Sequence, residues 1–302
     1  MKIAITGGTG FIGSRLVDYL LTEGHQIKIL TRSLKNKEAK EGVTYIKWLS
    51  DDSNPAVELE GIEAIYHLAG ESIGGKRWST EQKQKILNSR IESTNELLSI
   101  ISKLKQKPKT LISASAIGYY GNSESETFTE KSKSVDNKFL TSVVHQWEGQ
   151  VAQAREFGIR TVFCRLGIVL HANEGALNQM LLPYRLFIGG PLGTGNQWFS
   201  WIHIDDVIHL FAFVLQHEEL NGPINLTSPH PKQMKEFGKT LGSILNRPHW
   251  IPVPSFALKI LLGEMSTLVL DGQKVLPEQA LTHGYSFKFP NLNEALTDLL
   301  QK

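Results

Sequence analysis

A β-branched run, Lys2 to Thr6, breaks directly into Gly7-Gly8-Thr9-Gly10-Phe11-Ile12-Gly13, and the glycines give way to helical spacing at Ile12, Leu16, Val17, Leu20 and Leu21. A strand, a glycine turn and a helix in that order form the opening of a dinucleotide-binding βαβ unit. Gly7 permits the tight turn, Gly10 removes a side chain that would block backbone approach to a pyrophosphate, and Gly13 lets the helix pack closely on the sheet. The helix N-terminus then faces the anion with its free amides and its dipole. A merely flexible glycine loop would not require this register at the end of the opening strand. Thr6, Gly7, Gly10, Phe11, Ile12 and Gly13 are therefore the expected cofactor contacts.

The same alternation continues. Strands are expected at Lys2 to Thr6, Gln26 to Leu30, Thr44 to Lys47, Ala64 to Leu68, Thr110 to Ser113 and Thr161 to Arg165, with helical patterns at Ile86 to Ile101 and Val143 to Ala154. Parallel strands need crossover connections, so the pattern predicts an α/β fold: a doubly wound, mainly parallel Rossmann sheet with ligands beyond the strands' carboxyl ends. After Arg165 the pattern turns irregular. Gly189, Gly190, Pro191, Gly193 and Gly195 precede an apolar segment, Trp198 to Leu215, that reads as the start of a second region. Pro223 to Pro231 is punctuated, and helices are expected at Lys232 to Leu245, Ser255 to Met265 and Leu292 to Leu300. The expected organisation is a Rossmann domain of residues 1–167 plus about 200–228, and a smaller, discontinuous substrate domain of 168–199 plus 229–302. The polar stretch Asn122 to Asn137 predicts a mobile loop near the ligand edge.

Composition excludes several classes. With 32 Lys+Arg against 30 Asp+Glu the net charge is +2, which offers no dominant basic surface for nucleic acid and no polybasic membrane anchor. The longest apolar runs, such as Val207 to Leu215, are far too short to span a bilayer. The single cysteine, Cys164, can form neither an internal disulfide nor a zinc cluster, no metal-ligand spacing appears, and a cytoplasmic location is expected.

The second strand ends in Leu30-Thr31-Arg32-Ser33. NAD-binding chains carry an acidic residue there for the ribose 2′-hydroxyl. Arg32 and Ser33, helped by Lys35, suit a 2′-phosphate instead, so NADP(H) is preferred over NAD(H). The alternative is a solvated loop cation, but a missing carboxylate and a present arginine together favour binding.

The glycine turn, His67-Leu68-Ala69-Gly70, Ser113-Ala114-Ser115 and Trp201-Ile202-His203-Ile204-Asp205-Asp206-Val207 together resemble the extended short-chain dehydrogenase/reductase superfamily, over nearly the whole chain. Ser89-Arg90-Ile91-Glu92-Ser93-Thr94, Ser115-Ala116-Ile117-Gly118-Tyr119-Tyr120-Gly121, Trp147-Glu148, Gly190-Pro191-Leu192-Gly193 and Gly263-Glu264-Met265 resemble more narrowly an atypical subgroup, the sugar-nucleotide epimerase-like family with a distinctive C-terminal segment. The resemblance implies cofactor contacts at Leu68, Ala69 and Gly70 and a substrate-binding serine at Ser115. Dimers are common in that superfamily, so a homodimer is an open expectation.

The superfamily also places Tyr and Lys four residues apart on one helix face, where the lysine holds the nicotinamide ribose and helps the phenol exchange a proton. No tyrosine here has a lysine four residues later, and aligning Trp147-Glu148 puts Leu140 and Val144 at the two positions. Tyr119 and Tyr120 lie near Ser115 in sequence and are the replacement candidates, with packing as the competing role. Where relatives hold a sugar diphosphate with arginine, this chain has Gln197-Trp198-Phe199-Ser200, which favours a flatter, less charged ligand unless Arg185 or Arg247 supplies charge. Glu71-Ser72-Ile73-Gly74-Gly75-Lys76-Arg77-Trp78 is a candidate substrate loop, with Glu71 and Ser72 nearest the fourth strand. Arg90 could act with Ser115 or pair with Glu92 or Glu96. His67 and His203 read as core histidines, Asp206 as a helix cap, and Trp147-Glu148 as a packing and capping pair.

These features support an NADP(H)-binding oxidoreductase or epimerase-like protein acting on a small molecule. The alternatives are a catalytically silent NADP(H) sensor and, ranked lower, a nucleotide-sugar epimerase.

Overall fold

The computed structural model describes residues 1–50 and 52–301. Seven parallel strands form the central sheet: β1 (Lys2–Thr6), β2 (Gln26–Thr31), β3 (Val43–Lys47), β4 (Ala64–His67), β5 (Thr110–Ala116), β6 (Arg160–Leu166) and β7 (Gly222–Leu226). Their spatial order is β7-β6-β5-β4-β1-β2-β3, so the order reverses at β1, where the chain steps to β2 on one side and β4 on the other. Crevices for ligands open at such a reversal, above the strands' carboxyl ends.

Six strands match the expected positions within a few residues. The seventh was hidden by Pro223, which read as loop punctuation. β7 lies at the sheet edge, hydrogen-bonded only to β6, where a missing backbone N–H is tolerated.

Alternate residues of each strand face opposite layers. Ile3, Ile5, Ile27 and Ile29 pack against α1 (Phe11–Thr22), while Ala4, Leu30, Ile65 and Leu111 face the other side, toward α2 (Thr80–Lys103) and α3 (Phe139–Ala152). A third core gathers Leu177, Leu181 and Tyr184 of α4 (Gly175–Arg185). The apolar segment expected to open a second region divides instead. Trp198–Phe199 pairs with Lys232–Gln233 beside this third core, whereas α5 (Ile204–Gln216) returns to lie on α1. Phe237 and Leu241 of α6 (Met234–Leu245) complete the third core with Leu292 and Leu296, after the short α7 (Ser255–Leu262) and within α8 (Leu292–Leu300).

The stretch Asn122 to Asn137, expected to be mobile, is stitched to the body. Thr127–Phe128 pairs with Lys274–Val275, and the Val135 amide donates to the Tyr120 carbonyl. The Asp136 carboxylate accepts from the Asn122 and Lys138 amides and the Thr141 hydroxyl.

Asp206 does not cap α5. The cap is His203, whose Nδ1 accepts from the Asp205 amide. Asp206 is fully buried one turn in, and its carboxylate accepts from the Lys288 amide at 2.8 Å, the Phe289 amide at 2.9 Å and the Tyr285 hydroxyl at 3.1 Å. It thereby ties the C-terminal segment to the sheet layer. Asp206→Ala leaves two backbone donors without their acceptor and is expected to destabilise the protein by roughly 3 kcal/mol. Urea unfolding measures this; a change under about 0.5 kcal/mol, the size of an ordinary surface substitution, would contradict the assignment.

Candidate functional site

The turn between β1 and α1 is built by backbone crowding. At Gly7, where φ is +70°, a Cβ would lie 2.7 Å from the Leu68 carbonyl oxygen, and at Gly13 a Cβ would lie 2.2 Å from the Gly7 carbonyl oxygen. Neither position admits a side chain. A Cβ at Gly10 would meet only the Gly7 carbonyl oxygen, at 3.3 Å, so the outer side of the turn stays open. No side chain caps α1 at Gly10, which leaves its first amides to an external acceptor. This arrangement fits a pyrophosphate.

Thr6 is completely buried, and its Oγ1 accepts from the Leu68 and Ala69 amides at 3.1 and 3.2 Å. Its own proton therefore goes to His67 Nδ1 at 2.8 Å. His67 Nε2 in turn donates to Thr94 Oγ1, which donates to the Arg90 carbonyl. This chain holds the ends of β1 and β4 and the adjacent α2 in one register. Burial, followed by the nearby Arg90 charge, pushes the His67 pKa down to about 4, so the ring is neutral near pH 7, as the donor order requires. Thr6 thus positions the Leu68-Ala69-Gly70 segment rather than facing the crevice.

Arg32 and Ser33 follow β2, whose Leu30 is in register with Thr6. Arg32 is exposed and makes no hydrogen bond or ion pair among the described residues; Ser33 Oγ accepts from the Lys35 amide. A guanidinium with no partner among the described residues thus stands just past the strand beside the glycine turn.

Beyond β5 lies a buried polar network that sequence reasoning did not find. Ser115 Oγ donates to Glu148 Oε1 at 2.5 Å. Arg165, 3% exposed, grips Glu148 with two hydrogen bonds, Nε to Oε1 and Nη2 to Oε2, each 2.8 Å. Its remaining nitrogen donates to the Tyr120 hydroxyl at 3.0 Å, which donates to Asn225 Oδ1 at 2.7 Å. Burial works to lower the Arg165 pKa, but the hydrogen bonds and charge of Glu148 outweigh it and hold the guanidinium charged. Burial also pushes Tyr120 up to about 12, and with both hydroxyl functions engaged this tyrosine is a structural part. Tyr119 differs: its ring lies under the Arg165 guanidinium, 3.3 Å from Cζ to centroid, and its hydroxyl has no hydrogen-bond partner among the described residues.

Of Trp147-Glu148, expected as a packing and capping pair, Trp147 does pack in the core, while Glu148 is half of an ion pair. The signal was available in Arg165, a charge inside the apolar strand Thr161-Val162-Phe163-Cys164-Arg165-Leu166, because a buried arginine demands a carboxylate. Leu140, Val144 and Glu148 fall at i, i+4 and i+8 on α3, and a Cβ on Gly118 would lie 3.8 Å from both Leu140 and Val144. Apolar contact occupies Leu140 and Val144, the two positions that the sequence resemblance aligned with Tyr and Lys, and the charge of Glu148 sits one turn further on.

Arg90 joins neither Ser115 nor Glu92 or Glu96. It donates to the Glu71 and Ile86 carbonyls and lies 5.0 Å over the Trp147 ring, a half-buried brace beneath Gly70. The Glu71 amide is held by Ser89, and the loop onward through Ser72 is closed by Trp78 Nε1 donating to the Ile73 carbonyl. Ser72 is exposed. Lys83 at the start of α2 pairs with Glu264, so the C-terminal segment reaches across to this loop. The aromatics of Gln197-Trp198-Phe199-Ser200 are committed elsewhere: Phe199 packs on Phe237, and Trp198 Nε1 donates to the Glu124 carbonyl. Arg185 is exposed at the end of α4, while Arg247 lies over the Phe187 ring. Among the described residues no three His, Cys, Asp or Glu side chains gather as metal ligands, and no helix is long and apolar enough to cross a membrane.

A doubly wound parallel sheet with an anion-ready glycine turn at its reversal defines a nucleotide-binding α/β protein. Comparison with known proteins agrees: residues 3–226 match the NAD dependent epimerase/dehydratase family, and 253–299 match a domain of unknown function, DUF1731. The chain belongs to the NAD dependent epimerase/dehydratase family. It is 46% identical over 300 residues to the epimerase family protein YfhF of Bacillus subtilis, covering 99% of this chain and 98% of that one. It is 42% identical over 298 residues to the epimerase family protein SAR0825 of Staphylococcus aureus, with coverage of 99% and 98%. Among solved structures, the human epimerase family protein SDR39U1 (isoform 2) with NADPH superposes with a TM-score of 0.87 and 32% identity, covering all of both chains. UDP-glucuronic acid 4-epimerase from Bacillus cereus in complex with NAD shares the fold, with a TM-score of 0.78 at 18% identity over 99% of this chain and 95% of that one.

The depressed His67 pKa carries a testable pH dependence. The folded value is about 4 against 6.5 for the free ring, so the associated stability is fully present above pH 6.5 and lost as pH falls through 4. The loss amounts to roughly 3 kcal/mol. Urea unfolding between pH 7 and 4 should show a shallower acid slope for His67→Gln than for the parent; parallel slopes would contradict the buried neutral imidazole.

Proposed function

We propose that the protein is an NADP(H)-dependent oxidoreductase of the epimerase family acting on a small molecule, with Tyr119 exchanging the proton and Ser115 orienting the substrate. The observation that carries this reading is the pairing of an uncapped α1 N-terminus on an open glycine turn with the exposed Arg32 just past β2, which has no partner among the described residues. The turn suits the pyrophosphate, and the exposed guanidinium suits a 2′-phosphate through charge-assisted hydrogen bonds. The NADPH described with the human relative supports the choice of cofactor.

A bound nicotinamide dinucleotide supplies the two-electron chemistry. The chain's own residues bind, orient and move protons. Ser115 spends its proton on Glu148, so its oxygen accepts a hydrogen bond, which suits a substrate hydroxyl. Arg165 holds Glu148 in place, and Tyr119, resting against Arg165, offers a hydroxyl that has no partner among the described residues. A second reading, a cofactor-binding sensor without turnover, is favoured by one observation: Leu140 and Val144, which the sequence resemblance aligns with the usual acid/base pair, face Gly118 as apolar packing.

Calorimetry should give NADPH at least tenfold tighter binding than NADH, and Arg32→Ala should weaken NADPH by roughly tenfold, about 1.4 kcal/mol, while leaving NADH unchanged. Equal affinities in the parent would remove the 2′-phosphate assignment. In a carbonyl and alcohol panel followed by NADPH absorbance, Tyr119→Phe should lower kcat by at least a hundredfold with cofactor affinity retained. Undiminished turnover would exclude Tyr119, and saturable cofactor binding with no turnover of any substrate would favour the sensor.

A further inference from the structure

Three groups bound the ring of Tyr119, a half-buried residue of the turn Ile117–Tyr120. The Arg165 guanidinium lies 3.3 Å from the ring centroid, the Tyr120 ring meets it edge-on at 5.5 Å, and the imidazole of His145 lies at 4.4 Å, tilted by 45°. The guanidinium covers one face at van der Waals distance, and 4.4 Å is too short for an edge contact between rings, so His145 closes the other face. The same histidine also reaches the backbone: its Nε2 stands 3.0 Å from the Tyr119 carbonyl oxygen. A carbonyl only accepts, so Nε2 carries the proton and donates, and Nδ1 has no partner among the described residues.

The place of His145 on α3 explains the contact. Leu140 and Val144 lie toward Gly118, and Glu148 toward Arg165. His145 follows Val144, about 100° further round the helix, and is exposed. Gly118, with no side chain of its own, sits against Leu140 and Val144, and this brings the next residue, Tyr119, over the shoulder of the helix to His145. Ordering an exposed side chain costs rotamer entropy, and a histidine serving the surface alone would keep both nitrogens in water. Here the ordering is spent on the backbone and ring of a tyrosine whose hydroxyl has no partner among the described residues.

We propose that His145 is a positioning residue for Tyr119: it pins the Tyr119 carbonyl and holds the phenol ring against Arg165, which fixes the direction in which the hydroxyl meets the substrate. This rests on the reading of Tyr119 as the proton-exchanging group. His145 itself touches no substrate and moves no proton; it acts through Tyr119 alone. The buried Arg165 secures one face of the ring from β6 and the exposed His145 secures the other from α3, so the tyrosine is aimed by two separate elements.

Substitution at an exposed helical position leaves the core intact, so turnover and structure can both be read. With the best substrate of the carbonyl and alcohol panel, His145→Ala should lower kcat at least tenfold while KM and NADPH affinity stay within twofold of the parent. His145→Gln, whose amide donates from about the place of Nε2, should recover kcat to within threefold of the parent, whereas His145→Phe, which keeps a ring but loses the donor, should not. In a Tyr119→Phe background His145→Ala should cause no further loss, because the residue through which it acts is already disabled. Undiminished kcat in both His145→Ala and His145→Phe would overturn the proposal, as would a His145→Gln no faster than His145→Phe. A further loss in the Tyr119→Phe background would mark a general structural role and would also overturn it. Crystal structures of the parent and of His145→Ala decide the point without turnover: the Tyr119 ring should leave the Arg165 guanidinium or spread over two rotamers, and an unmoved ring would overturn the proposal. A parent without turnover, or one whose kcat survives Tyr119→Phe, would sink the reading of Tyr119 as the proton-exchanging group instead, and the two crystal structures would still decide what His145 holds.

Discussion

The site depends on a crowding of backbone. Gly13 meets the Gly7 carbonyl and Gly7 meets the Leu68 carbonyl at distances where no β-carbon fits, so β1, α1 and the end of β4 close on one another as bare main chain. That closeness brings the first amides of α1 to the point where the sheet order reverses. The Thr6–His67–Thr94 chain then locks β1 and the end of β4 to α2 by side chains. It does so without a charge, because burial keeps His67 neutral.

On the other side of the reversal the fold holds its charges in a pair. Glu148 and Arg165 are both buried, matched by two parallel hydrogen bonds, and extended through Tyr120 to Asn225. Removing either partner would strand the other in a water-poor interior, so such a pair is costly to break even where its net contribution to stability is small. Its consequence for chemistry is positional. Ser115 is oriented by Glu148, and Tyr119 is laid against Arg165, so two side chains from β5 and the turn after it are fixed by one ion pair.

The glycine turn and six strands were legible because they are local: β-branched runs, a fixed glycine register and helical spacing each act within a dozen residues. Pro223 obscured β7 because whether a proline can sit in a strand depends on its being at a sheet edge, a fact of topology rather than of sequence. Arg165 and Glu148 were harder still. They lie seventeen positions apart, on a strand and a helix whose docking decides that they meet. Asp206 was mistaken for a cap because its partners, Lys288 and Phe289, are some eighty residues away.

Hydrogen–deuterium exchange across residues 7–14 and 30–35, with and without saturating NADPH, tests the central claim most directly. The account predicts marked protection of the Phe11 and Ile12 amides and of the Arg32 loop on addition of NADPH, with protection at the loop reduced for NADH. Unchanged exchange at the start of α1 under saturating NADPH would contradict it.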